Sequence, residues 1–159
     1  MENNKKYITN GWLAIIIVIL ILVIDQIIKI EVKTNMTLGE AIRITDWFYI
    51  DFIENNGMAY GMTFFNKLVL SLFRTFAIGS IGWYIWRVVK TGIFSRGYIV
   101  CLAMILAGAA GNLIDCLFYG LIFDASTPFS VADFVSFGTG YSTFLHGKVV
   151  DMFYFPIIR

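Results

Sequence analysis

Three long apolar runs dominate the chain, and each meets an ionisable residue at or near its end. Residues 7–24 carry no charge and run into Asp25. About 20 residues of helix cross a bilayer core of roughly 30 Å, so this run and the turn holding Asp25 predict a span over 11–31. Residues 68–86 are broken only by Arg74 and end in Trp83, Tyr84 and Trp86 beside Arg87, the aromatic signature of a membrane interface. A second span is predicted over 68–88. The third, over 97–118, is charge-free from Gly97 to Ile114 and then meets Asp115. Lys5 and Lys6 ahead of the first run also fit a signal peptide. However, the run is long, and Lys33-Thr34-Asn35-Met36 offers no small-residue cleavage site. A retained first helix is expected.

Between the first two spans the pattern changes. In 36–66, Ile42, Ile44, Trp47, Tyr49, Ile50, Phe52 and Ile53 are interspersed with Arg43, Asp46, Asp51 and Glu54. That rough alternation predicts strands, followed by a turn at Asn55-Asn56-Gly57. An amphipathic helix lying in the interface is the competing reading. The expected architecture is a mainly α membrane protein: a single multi-spanning domain over 1–159, with three transmembrane helices, a small extracytoplasmic β-sheet between helices one and two, and an outer loop over 119–159. Lys5, Lys6, Arg87, Lys90 and Arg96 cluster in the short flank and link, which places those segments in the cytoplasm by the positive-inside rule. With an odd number of spans, Arg159 is expected on the opposite side from Met1.

Composition agrees. The chain is 58% hydrophobic and 14% charged, against about a quarter charged for soluble domains. A net charge of +1 argues against nucleic acid, which needs a concentrated basic surface. Cys101 and Cys116 fall in or beside an apolar run and read as buried small hydrophobes, not a disulfide framework or zinc motif.

Ionisable groups in a spanning helix cost about 2.5–3.5 kcal/mol each on insertion scales, so they face a partner or a cavity. Asp25 and Lys29, four apart, share a helix face and can pair. In helix three, Ala107 and Gly111 fit the small-xxx-small spacing that lets backbones approach, and Gly108 lies one turn from Asn112. Asn112 and Asp115 share a face at that helix's end and are expected to brace a neighbouring loop. Lone His146 has no obvious Ser or Cys nucleophile, and Asp124 and Asp133 sit in a polar stretch; all three read as loop residues. Asp151, in Gly147-Lys148-Val149-Val150-Asp151-Met152-Phe153, is a carboxylate just beyond the bundle, where acid–base chemistry at the bilayer surface becomes possible.

Together these residues resemble the lipoprotein signal peptidases, multi-spanning aspartic proteases, over essentially the whole chain. Asp25-Gln26-x-x-Lys29 resembles that family's first motif. Glu54-Asn55-x-Gly57-Met58-Ala59-Tyr60-Gly61 resembles its N-x-G-x-A-F motif. The run Ala107-Gly108-Ala109-Ala110-Gly111-Asn112-Leu113-Ile114-Asp115 resembles its G-G-A-x-G-N-L-x-D-R, and Val149-Val150-Asp151-Met152 its V-V-D-F. The resemblance implies four helices and a substrate prolipoprotein whose cysteine already bears diacylglycerol. It also implies Asp151 as one of two catalytic aspartates, Asn55 and Gly57 shaping the substrate turn, and no metal or organic cofactor. The expected place is the bacterial inner membrane, N-terminus cytoplasmic and Asp151 outside, with membrane lipid as a further partner.

Three departures stand out. Cys116 occupies the position where the family has Arg, and residues 121–147 look like an insertion. The F-N-x-A-D motif that supplies the second aspartate has no counterpart up to Arg159, so that aspartate is expected beyond Arg159. The chain is therefore expected to be a C-terminally shortened, impaired peptidase, Asp115 being the only substitute carboxylate to hand. A binding-only homologue, or a small transport subunit with Asp25, Lys29 and Asp115 lining an ion path, are the rival readings.

Overall fold

The structure is a computed structural model and describes residues 2–56 and 67–156. Its long helices are α1 (Glu2–Asn35), α2 (Lys67–Thr91) and α3 (Arg96–Ile114). In lipid, backbone N–H and C=O groups have no water to bond and must satisfy each other, so apolar runs rich in Ile, Val and Leu become helices there. Among the described residues, Lys6–Asn35, Lys67–Thr91 and Arg96–Ile122 are long and apolar enough to cross a membrane. The last of these continues beyond α3 as a π-helical turn, Asp115–Tyr119, and a closing α-turn, Gly120–Ile122.

Residues after α1 are strands, not an interfacial helix. β1 (Ala41–Thr45) and β2 (Phe48–Asn55) form an antiparallel hairpin, with Arg43 and Asp46 ion-paired beside its turn. Gly39, at a φ of 85° that L side chains rarely adopt, turns the chain from α1 into β1. A third strand, β3 (Val149–Tyr154), arises in the stretch read as outer loop and pairs antiparallel with β2, giving the order β1-β2-β3. The first two strands were legible from their alternation. The third was masked because Val149 and Val150 are both buried, which breaks the period of two.

The chain groups into two compact units, residues 1–26 with 72–111 and residues 27–71 with 112–159. In the first, Ala14, Ile85, Val88, Ile99 and Ala103 form the buried core. Many of its large apolar side chains, Ile16, Phe73 and Phe76 among them, point outward, as a bilayer solvent permits. Cys101 follows the same rule: it is exposed on α3 and not buried as expected, whereas Cys116 is buried.

The second unit packs Val32 and Met36 of α1 against Phe52, Tyr119, Phe123, Val150 and Met152. Residues 121–147 fold back on the end of the third span. The carbonyls of Gly120, Leu121, Ile122 and Phe123 accept the N–H groups of Ser142, Gly138, Val135 and Tyr141 at 2.9–3.0 Å. Gly140 is required there, since a Cβ would collide with the carbonyls of Gly120 and Phe123.

Candidate functional site

Asp151 lies in β3 and is exposed, while Val149, Val150 and Met152 around it are buried. Successive residues of a strand face opposite sides, so Val150 and Met152 reach the core and Asp151 projects from the other face. Its cross-strand partner is Ile53, and Val150 stands opposite Glu54. Arg159, beyond which the second aspartate was expected, lies outside the described residues.

Asp115, the first residue of the π turn, is fully buried. Its carboxylate accepts the Lys29 ammonium at 2.7 Å and the backbone N–H of Val150 at 3.1 Å. Lys29 also donates to Asn112 Oδ1 at 2.9 Å. Three sequence-predicted residues thus meet, and through Val150 they hold the strand beside Asp151. Gly147 donates its N–H to the carbonyl of Cys116 at 3.0 Å, and a Cβ on it would strike the carbonyl of Asp115. The path into β3 is pressed against the π turn.

In the first unit, Gly111 lies against the Asp25 carboxylate, which a Cβ would overlap, and Gln26 Nε2 approaches both Asp25 Oδ2 at 3.2 Å and the Gly111 carbonyl at 3.4 Å. The small-residue face expected on α3 brings α1 close, with Ala107 fully buried. A Cβ at Gly108 meets nothing within 4 Å. Asn55 ends β2 opposite Val149; Gly57 lies outside the described residues. His146 is held locally, its Nδ1 near the Phe144 carbonyl at 2.9 Å and Thr143 Oγ1 at 3.2 Å. Asp124 Oδ1 accepts the Asp133 N–H at 2.7 Å, closing a turn.

Sequence reasoning missed a second cluster. Lys33, fully buried, is ion-paired with one oxygen of Glu54 and donates to Ser126 Oγ at 2.9 Å. The other Glu54 oxygen takes the Lys148 ammonium at 3.0 Å. The Tyr141 hydroxyl accepts the Lys148 backbone N–H at 2.8 Å, and its ring lies 5.1 Å from the Lys33 ammonium and 5.7 Å from that of Lys148. A signal for it existed: Lys33 follows Lys29 by one helical turn, and a lysine so near the end of an apolar run calls for a partner.

Burial opposes ionisation of Glu54, yet hydrogen bonds and charge from Lys33 and Lys148 outweigh it and hold the carboxyl below its ordinary 4.5. A folded-state value depressed in this way adds stability above the unfolded value and loses it as pH falls through the folded one. The unfolding temperature in detergent is therefore expected to drop as pH is lowered beneath about 4.5, and a Glu54→Gln variant is expected to show less of that drop. Burial likewise raises the Tyr141 hydroxyl far above its usual range, keeping it protonated.

The family described as Signal peptidase (SPase) II matches residues 17–159. The chain is 44% identical over 159 residues to a lipoprotein signal peptidase of Porphyromonas gingivalis, covering 100% of this chain and 70% of that protein. A lipoprotein signal peptidase of Amoebophilus asiaticus is 36% identical over 147 residues, 89% of this chain and 58% of the other. A bacterial membrane enzyme solved by the in meso method shares the fold, with a TM-score of 0.62 at 21% identity over 91% of this chain and 70% of that one. With three span-capable helices, a three-stranded sheet and these matches, the chain belongs to the signal peptidase II family of lipoprotein-processing membrane proteases.

Proposed function

We propose that the protein cleaves the signal peptide from diacylglyceryl-modified prolipoproteins, with Asp151 as one of two carboxylates that act on the scissile bond. The carrying observation is the contrast at β3: Asp151 is open on one face, while the residue before it is pinned by a buried ion pair. Two carboxylates held close cannot both ionise easily, so one keeps its proton. The ionised member takes a proton from water as that water attacks the carbonyl carbon. The protonated one hydrogen-bonds the carbonyl oxygen and then protonates the leaving amine. The acyl chains lie in bilayer lipid, which brings the peptide bond to the membrane surface. Asn55 and Gly57 shape the substrate turn, and Lys29, Asn112, Asp115, Asp25, Gly108 and Gly111 support the site. The location we infer is the bacterial inner membrane with the N-terminus cytoplasmic and Asp151 outside, supported by the basic cluster Lys5, Lys6, Arg87, Lys90 and Arg96.

Asp115 is buried in its ion pair with Lys29 and so does not serve as the second carboxylate. In nanodiscs, the protein expressed from its whole coding sequence is expected to bind and cleave a fluorescent diacylglyceryl peptide. Absence of binding would overturn the substrate assignment, and binding without cleavage would overturn the proposed reaction.

A further inference from the structure

Two lysines one turn apart on α1 each hold a carboxylate that reaches the segment entering β3. Lys29 holds Asp115, which accepts the Val150 N–H. Lys33 holds Glu54, whose second oxygen takes the Lys148 ammonium. The first relay consists of residues already expected to support the site. The second draws on residues given no role there, and it is closed by side chains of the 121–147 insertion: Ser126 on Lys33, and Tyr141 on the Lys148 backbone.

We propose that Glu54 is a positioning residue for Asp151, bridging α1 to the start of β3, and that the insertion serves this brace by supplying Ser126 and Tyr141. The inference rests on the peptidase reading given above. Glu54 faces the buried side of the sheet with its cross-strand partner Val150, and its side chain is only 3% exposed. It therefore acts from beneath the strand and not on substrate. A carboxylate suits this position because it accepts from two ammoniums at once, each charge-assisted bond being roughly twice as strong as a neutral one. Lys148 is fixed at both ends, its ammonium by Glu54 and its N–H by Tyr141, three residues before Asp151. Gln in place of Glu54 offers one acceptor oxygen and no charge, so one lysine must let go.

The test has two readouts. Amide hydrogen exchange on the chain in nanodiscs should show residues 148–152 exchanging faster in Glu54→Gln and, less strongly, in Tyr141→Phe, with α2 unchanged. Kinetics on the protein expressed from its whole coding sequence, with a diacylglyceryl peptide as substrate, should show Glu54→Gln lowering kcat by up to about 100-fold, the scale of a misplaced reacting group, with little change in KM. Glu54→Asp should recover part of the loss. If Glu54→Gln fails to fold, Tyr141→Phe and Lys148→Met, which release only the β3 arm, carry the same comparison. Unchanged exchange at 148–152, or a kcat loss no larger than the loss of folded protein, would overturn the proposal. Altered exchange without cleavage by the unsubstituted protein would instead overturn the peptidase reading alone.

Discussion

Replacing Asp151 by Asn should remove cleavage of a diacylglyceryl peptide while leaving the protein folded. Asn keeps the shape of the side chain but can neither take a proton from water nor protonate a leaving amine. Acid–base groups of this kind contribute about 10²–10⁴-fold, so a loss of that order in kcat/KM is expected from the protein expressed from its whole coding sequence. Stability should barely move, because Asp151 is exposed and the residues that anchor β3 are Val149, Val150 and Met152. Surface changes of this sort fall within about 0.5 kcal/mol. Steady-state cleavage paired with a thermal unfolding curve checks both halves. Undiminished cleavage by the variant would remove Asp151 from the reaction.

Much of the frame could be read from the sequence, because two of its signals are strong. Apolar runs of bilayer length with at most one interior charge have one stable conformation in lipid, and α1, α2 and α3 formed over them. The β1–β2 hairpin showed in the alternation of its residue types, Arg43 between Ile42 and Ile44 and Asp51 between Ile50 and Phe52. What escaped was set by tertiary contact. β3 has two buried residues in succession, so its period was hidden until it was seen closing over the core. The insertion is a turn-rich sequence, with Gly, Ser and Thr scattered among its aromatic residues and no periodicity, and its shape comes from carbonyls at the end of a span. At the site, Asn112 and Asp115 were placed as a brace by spacing alone, yet tertiary contact sets their partners, Lys29 and Val150. Glu54 was invisible as a junction because its partners, Lys33 and Lys148, lie 21 and 94 residues away along the chain.

Asp115→Ala should give the largest loss of stability of any single change at the site. The substitution leaves the Lys29 ammonium, 3% exposed, without the carboxylate at 2.7 Å, and removes the acceptor of the buried Val150 N–H. Removing one member of a buried ion pair costs about 3–5 kcal/mol, whereas replacing both with apolar groups of similar size is often neutral or better. The double variant Lys29→Met, Asp115→Leu should therefore recover most of the loss. It should not recover all of it, because the Val150 N–H stays unpaired, at about 1–3 kcal/mol for an unsatisfied buried donor. Unfolding in mixed micelles, run on both single variants and the double, separates these contributions. A double variant no more stable than Asp115→Ala would show that the hydrogen bond to β3, not the ion pair, is the main support. A double variant as stable as the parent would show that the hydrogen bond adds nothing.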